Sequence, residues 1–213
     1  MLAAHVQGQF EAEKARIARR LHGDVAGMLA AARMDLSRLA GAHADDAGLR
    51  EQVARVDQIL EAVVQNARSE MQRLHPALLD HFGLSAALRH LVEQACRAGG
   101  AEYTLELPDF ADARVSAPMA LAAYRAVEAL LEAGSLSRVA VTLRESASQV
   151  MLHIDLQRTT APPEGSNNDL LALRAWLEAL GAGWSESDRG TSIALDLTLP
   201  LESATAATAT PAS

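Results

Sequence analysis

Aromatic residues make up only 3% of this 213-residue chain, which removes the usual filling of a β-sandwich core. Ala and Leu dominate the 49% that is hydrophobic, and that choice favours helix-rich packing. A single cysteine, Cys96, leaves no intrachain disulfide and no second thiol for a metal, so it is expected as a small buried apolar residue. No apolar run approaches the roughly 20 residues needed to cross a bilayer. The N-terminal MLAAHVQGQFEAEK lacks the basic, apolar, small-residue order of a signal peptide, so the chain is expected in the cytoplasm and off the membrane. Basic charge is scarce as well: 19 Lys and Arg face 27 Asp and Glu, a net charge of -8 that argues against nucleic-acid binding. His75, His81 and His90 have neither a Cys nor an HxxxH spacing to complete a tetrahedral set, so no metal site is expected.

What is present is periodicity. From about Glu11 to Leu39 the apolar residues Leu21, Val25, Met28, Ala32, Leu36 and Leu39 recur at steps of three and four, one stripe of a helix. GAHADDAG, residues 41–48, is a turn-rich break, and Leu49, Val53, Val56, Leu60, Val63 and Ala67 then repeat the spacing. A lone helical hairpin cannot bury both stripes, so a second copy of the chain is expected to complete a four-helix bundle. RLHPALLDHFGLSAALRHLVEQACRAGG, residues 73–100, sets Pro76 and Gly83 as punctuation before a further helix that ends at Gly99 and Gly100. Beyond it the pattern changes: YTLEL, RVAVTLRE, QVMLHIDL and TSIALDLTLP read as strands, and APMALAAYRAVEALLEA and NDLLALRAWLEALG as helices, the latter with Asn167 or Asn168 as N-cap. The fold class is therefore α+β, a helical hairpin followed by helices on one face of a mainly antiparallel sheet. The tail ESATAATATPAS has the composition of a disordered segment.

One histidine stands inside the first helical pattern, in RIARRLHGDVAGML. On an ideal helix His22 lies about 70° to one side of the apolar stripe, at the edge of the buried face. Arg16, Arg19 and Arg20 lie within about two turns, so an anionic group on the imidazole would meet positive charge. Gly23, Ala26 and Gly27 keep the surface low enough for another backbone to approach. On these facts alone the residue reads as an ordinary helix-surface histidine.

The longer stretch EKARIARRLHGDVAGML resembles the phosphoacceptor helix of sensor histidine kinases, in the subgroup whose pattern runs E-R-x-R-I-A-R-E-L-H-D-x-x-x-Q-x-L. RLHPALLDHFGLSAAL resembles the same subgroup's second signature, and YRAVEALL, RVAVTL and LRAWLEALGA followed by RGTSIALDLTLP resemble its ATP-binding domain. The resemblance spans residues 11–201. It implies that His22 carries a phosphoryl group, that residues 1–98 form a dimerisation and phosphotransfer domain, and that residues 101–201 share the fold of histidine kinases, gyrase, Hsp90 and MutL, with residues 202–213 a tail.

The departures from the family pattern carry the functional reading. The acidic residue expected after the histidine, its base, is Gly23, and the glutamine that orients water for dephosphorylation is Gly27. Asp24 lies two residues from His22, about 200° round the helix, and is badly placed to serve instead. The Glu and magnesium-binding Asn of the nucleotide site become Glu128 and Glu132, which adds negative charge beside phosphates. The glycine-rich D-x-G-x-G becomes DLQRTTAPPEG, with Asp155 as the relic of the adenine-binding carboxylate, and the glycine-rich lid becomes SNNDLLAL. Gly190 and Thr191 still match.

The expectation is a dimeric histidine phosphotransferase that passes a phosphoryl group between response-regulator receiver domains through His22, binding no cofactor, with Mg²⁺ supplied by the regulator's own site. The lack of a sensor segment before residue 5 leans the same way. Two alternatives stand beside it: an active sensor kinase using a divergent ATP site, and a non-catalytic dimeric adaptor that sequesters a regulator.

Overall fold

A computed structural model describes residues 2–108, 115–160 and 168–201, without the side chains of residues 2–4, 22, 26, 68 and 168. The tail expected after residue 201 and the candidate cap Asn167 lie outside the described residues, as does the side chain of Asn168.

Helix α1 runs over Leu2–Ala42 and α2 over Ala47–Leu74. The break between them closes on Asp46, whose carboxylate accepts from the Leu49 backbone N–H at 2.9 Å and caps α2. Across the hairpin the Arg33 guanidinium donates to Asp57 at 2.8 Å and to Glu61 at 2.6 Å. The apolar stripes are only partly covered: Met28 is 64% exposed and Ile59 62%. Leu21, Leu39, Val56 and Val63 are exposed too.

His75 ends α2 in an extended conformation, its N–H donating to the Met71 carbonyl at 2.9 Å, and Pro76 follows. Helix α3, Ala77–Gly99, is two helices joined at Gly83, whose φ of 78° is open to a residue without Cβ. The remaining elements are β1 (Glu102–Glu106), α4 (Ala117–Glu132), β2 (Leu136–Glu145), β3 (Gln149–Arg158), α5 (Asn168–Ala179), β4 (Gly183–Asp188) and β5 (Ser192–Pro200). The five strands form one sheet in the order β1-β2-β3-β5-β4, with β1 parallel to β2 and every other pairing antiparallel.

Alternation decides which face is dry. Val139, Val141 and Leu143 of β2, Val150, Leu152, Ile154 and Leu156 of β3, and Ile193, Leu195, Leu197 and Leu199 of β5 are buried in one cluster with α4 and α5. Leu84, Leu88, Val92 and Cys96 of α3 belong to the same cluster. The opposite face carries Met151, His153 and Asp196, all exposed.

The expected α+β class, the hairpin and the helix-on-sheet arrangement are what the structure has. Two features differ from the sequence reading. The compact units are residues 10–77 and residues 1–9 with 78–213, so α3 sides with the sheet rather than with a domain spanning 1–98, because its apolar face is part of the sheet's core. GWSESD, which has no apolar alternation, is a strand: β4 lies at the sheet edge and pairs with β5, its side chains mostly exposed apart from Trp184, which packs against the core.

Leu88, fully buried at 0% exposure, tests the place of α3. Leu88→Ala is expected to destabilise the sheet unit by about 2–5 kcal/mol in a chemical-denaturation midpoint.

Candidate phosphoacceptor helix and candidate nucleotide positions

Residue 22 sits in the middle of α1, and the side chains of His22 and Ala26 lie outside the described residues. The surroundings are described. A helix brings positions 18, 19, 25 and 26 onto the face of residue 22. Ala18 is buried, Arg19 exposed and Val25 half-buried. A Cβ added at Gly23 or at Gly27 would meet nothing within 4 Å, so the backbone is open on that side.

The three arginines are not equivalent. Arg16 donates through Nε to Glu13 at 2.8 Å, and that bond raises the Arg16 pKa and lowers that of Glu13. Arg20 lies 3.7 Å from Asp24, one turn on. Asp24 is thus engaged along its own flank of the helix. Arg19, one turn before His22, pairs with no carboxylate among the described residues.

The relic nucleotide positions do not converge. Glu128 accepts from Arg125 at 2.6 Å, with Arg125 only 7% exposed, so this carboxylate is already committed inside α4. Glu132 is the exposed last residue of that helix. Asp155 has the wrong parity: it shares the outer face of β3 with His153, whose Nδ1 lies 2.7 Å from Asp196, while the face against α4 carries residues 150, 152, 154, 156 and 158. Gly190 and Thr191 form the β4–β5 turn, the Gly190 N–H donating to Asp188 at 2.7 Å and the Thr191 carbonyl accepting from the Arg158 N–H at 2.7 Å.

Arg158 is the residue that chemistry-based reading of the sequence passes over. It occupies the fifth inward position of β3 and is only 5% exposed. Its Nη2 donates to the Leu130 carbonyl at 3.0 Å, near the end of α4. The signal was available, since a strand reading V-x-L-x-I-x-L-x-R puts a charge on the buried parity. Among the described residues no group of His, Cys, Asp and Glu is arranged to hold a metal, and no helix is long and apolar enough to cross a membrane.

Residues 13–79 match a family model described as histidine kinase. Over this segment the chain is similar to histidine kinases. The match takes in residue 22 and all of α2, together with the RLHPALL stretch. No curated protein matches the chain. Among solved structures, the blue-light activated histidine kinase EL346 of Erythrobacter litoralis is 15% identical with a TM-score of 0.46, over 84% of this chain and 61% of that one. The present chain therefore spans less than two thirds of that protein. The isolated histidine kinase domain of EL346 gives 17% identity and a TM-score of 0.45 over 90% of this chain and 94% of that one. A histidine kinase of Burkholderia phymatum gives 19% and 0.40 over 87% and 98%.

The helix face of α4 offers a pH prediction. Burial, reinforced by the Glu128 carboxylate, pushes the Tyr124 phenol up to about 12. Its ordinary value is 10.0, so between those two values the unfolded chain has released a proton that the folded chain still holds. Stability therefore falls as pH rises through that window. In a Tyr103→Phe protein, where Tyr124 is the remaining tyrosine, ultraviolet titration is expected to show tyrosinate only near pH 12.

Proposed function

We propose that this protein is a dimeric histidine phosphotransferase of a two-component relay, acting in the cytoplasm between response-regulator receiver domains. The observation that carries the reading is the open backbone at Gly23 and Gly27 beside an Arg19 that pairs with no carboxylate among the described residues, on a helix that matches a histidine kinase family model and has histidine at residue 22. A receiver domain bringing an aspartyl phosphate needs that approach and that charge. The neutral imidazole of His22 attacks phosphorus, the N–P bond forms as the P–O bond to the regulator's carboxylate breaks, and the proton on the other ring nitrogen leaves to water. The reverse sequence loads the next regulator. The receiver's acidic site and its Mg²⁺ supply the charge stabilisation, so His22 needs no base of its own. Gly27 offers no amide to orient water, which keeps the phosphohistidine for transfer rather than hydrolysis.

The residues at the nucleotide positions do not fit magnesium ATP. Glu128 is held by Arg125, Glu132 brings a further negative charge where phosphates would lie, Asp155 is on the far face of the sheet, and the inward end of β3 carries a guanidinium. The transfer takes no step through ATP. A kinase with a divergent site is the second reading, favoured by the family of residues 13–79. The adaptor reading keeps the same docking surface and loses the chemistry.

The dimer rests on the half-covered stripes of α1 and α2, which a second hairpin buries. Sedimentation is expected to give a dimer at micromolar concentration, and a monomer would remove the bundle. His22→Gln is expected to abolish phosphate uptake from a phosphorylated receiver domain while leaving the dimer intact, since a swap on a helix surface changes stability by no more than about 0.5 kcal/mol. Uptake at the wild-type rate in that variant rules out the relay. Titration calorimetry with magnesium ATP is expected to give no heat of binding, and a micromolar Kd would favour the kinase.

A further inference from the structure

We propose that Arg158 anchors a binding site for a small oxyanion, a phosphate or carboxylate group, where the end of β3 meets the C-terminal end of α4 and the β4–β5 turn. A guanidinium carries five N–H donors and cannot shed its charge at physiological pH. Here one donor is committed to the Leu130 carbonyl at 3.0 Å, while Nε and Nη1 are buried with no acceptor among the described residues. The side chain is only 5% exposed, so neither nitrogen is bathed in bulk water.

Burying a charge with its donors unmet is costly, and native folds meet that cost with a counter-charge or a full set of acceptors. The described residues supply neither. Asp188 is the carboxylate that acts on Arg158, yet it is exposed and its Oδ1 is taken by the Gly190 N–H at 2.7 Å. Burial pushes the Arg158 pKa down against the pull of Asp188, which is the electrostatic sign of a cation short of partners. The surroundings are shaped to hold the guanidinium: Gly134 leaves its stem room, since a Cβ there would lie 3.4 Å from the Arg158 Cδ, and the strand end is pinned by the Arg158 N–H to the Thr191 carbonyl. A planar fork held in this way matches the geometry of carboxylate and phosphate oxygens. The site thus has the opposite polarity to one built around a carboxylate that receives a base. It is independent of the relay reading, and a His22→Gln protein keeps it.

The test uses the full chain labelled with nitrogen-15 arginine, reading the Arg158 Nε–H resonance assigned through its neighbour Gly134. Inorganic phosphate and acetate are titrated separately at constant ionic strength, with chloride as the control. A saturable shift with phosphate, with acetate or with both is expected, and which of them acts names the oxyanion. A shift that chloride reproduces overturns the site, because it reports screening alone. Silence to every anion overturns it too. Asp188→Asn removes the competing charge and is expected to tighten the apparent Kd several-fold. An unchanged or weaker Kd overturns the placement.

Discussion

The sheet is dry on one face only, and that constraint decides more about this protein than any single motif. With a period of two, the inward set of β3 is 150, 152, 154, 156 and 158, and a slip by one residue would turn four buried aliphatic side chains out to water. The register with β2 and β5 is fixed by the same alternation, since Ile154 stands between Val141 and Leu195, both buried. Parity then acts on the polar residues without regard to their chemistry. Asp155 is carried to the outer face beside His153, and Arg158 is carried inward under α4. The character of each face of the sheet follows from where the aliphatic residues fall.

The hairpin works under a different balance. Its ion pairs from Arg33 to Asp57 and Glu61 join side chains that are 42–46% exposed, and partners that wet contribute at most about 1 kcal/mol each. They fix how α1 and α2 align rather than how strongly they hold. Strength must come from apolar area, and the largest stripe residues are still half in water. Helix α1 therefore carries two kinds of surface, an open one at Gly23 and Gly27 and an exposed apolar one at Met28, Leu21 and Leu39.

Strong periodicity made most elements legible. The hairpin, α4, β2, β3 and β5 stand close to where their apolar patterns put them, because those patterns are also the ones the core buries. The elements that escaped are those whose cause lies elsewhere in the chain. Strand β4 exists because β5 offers it a backbone edge, and GWSESD has no pattern of its own. Helix α3 reads equally well as bundle or sheet companion until Leu88 and Val92 are seen in the sheet's core. Helix periodicity treats a histidine at residue 22 as any half-polar residue, and only the motif around it singles it out. Asp155 was chosen by its chemical type, where counting from Val150 would have placed it outside, and the same count would have found Arg158.

The residues that make this fold and those that make nucleotide chemistry are largely separate sets. The core is written in Val, Leu and Ile on strands and in the buried face of α4, none of which touches a phosphate by its own chemistry. Nucleotide binding would need glycines at a strand end, an amide on α4 and a carboxylate of inward parity, all at positions the core does not require. Residues at such positions can differ while the packing stays intact. One substitution breaks this independence. An arginine placed on the inward parity at residue 158 enters the core's own layer, where it must find acceptors or weaken the fold, and the Leu130 carbonyl meets only part of that need. Arg158 makes that strand end a donor-rich cation, and a buried cation defines a demand for negative charge that its surroundings have to answer.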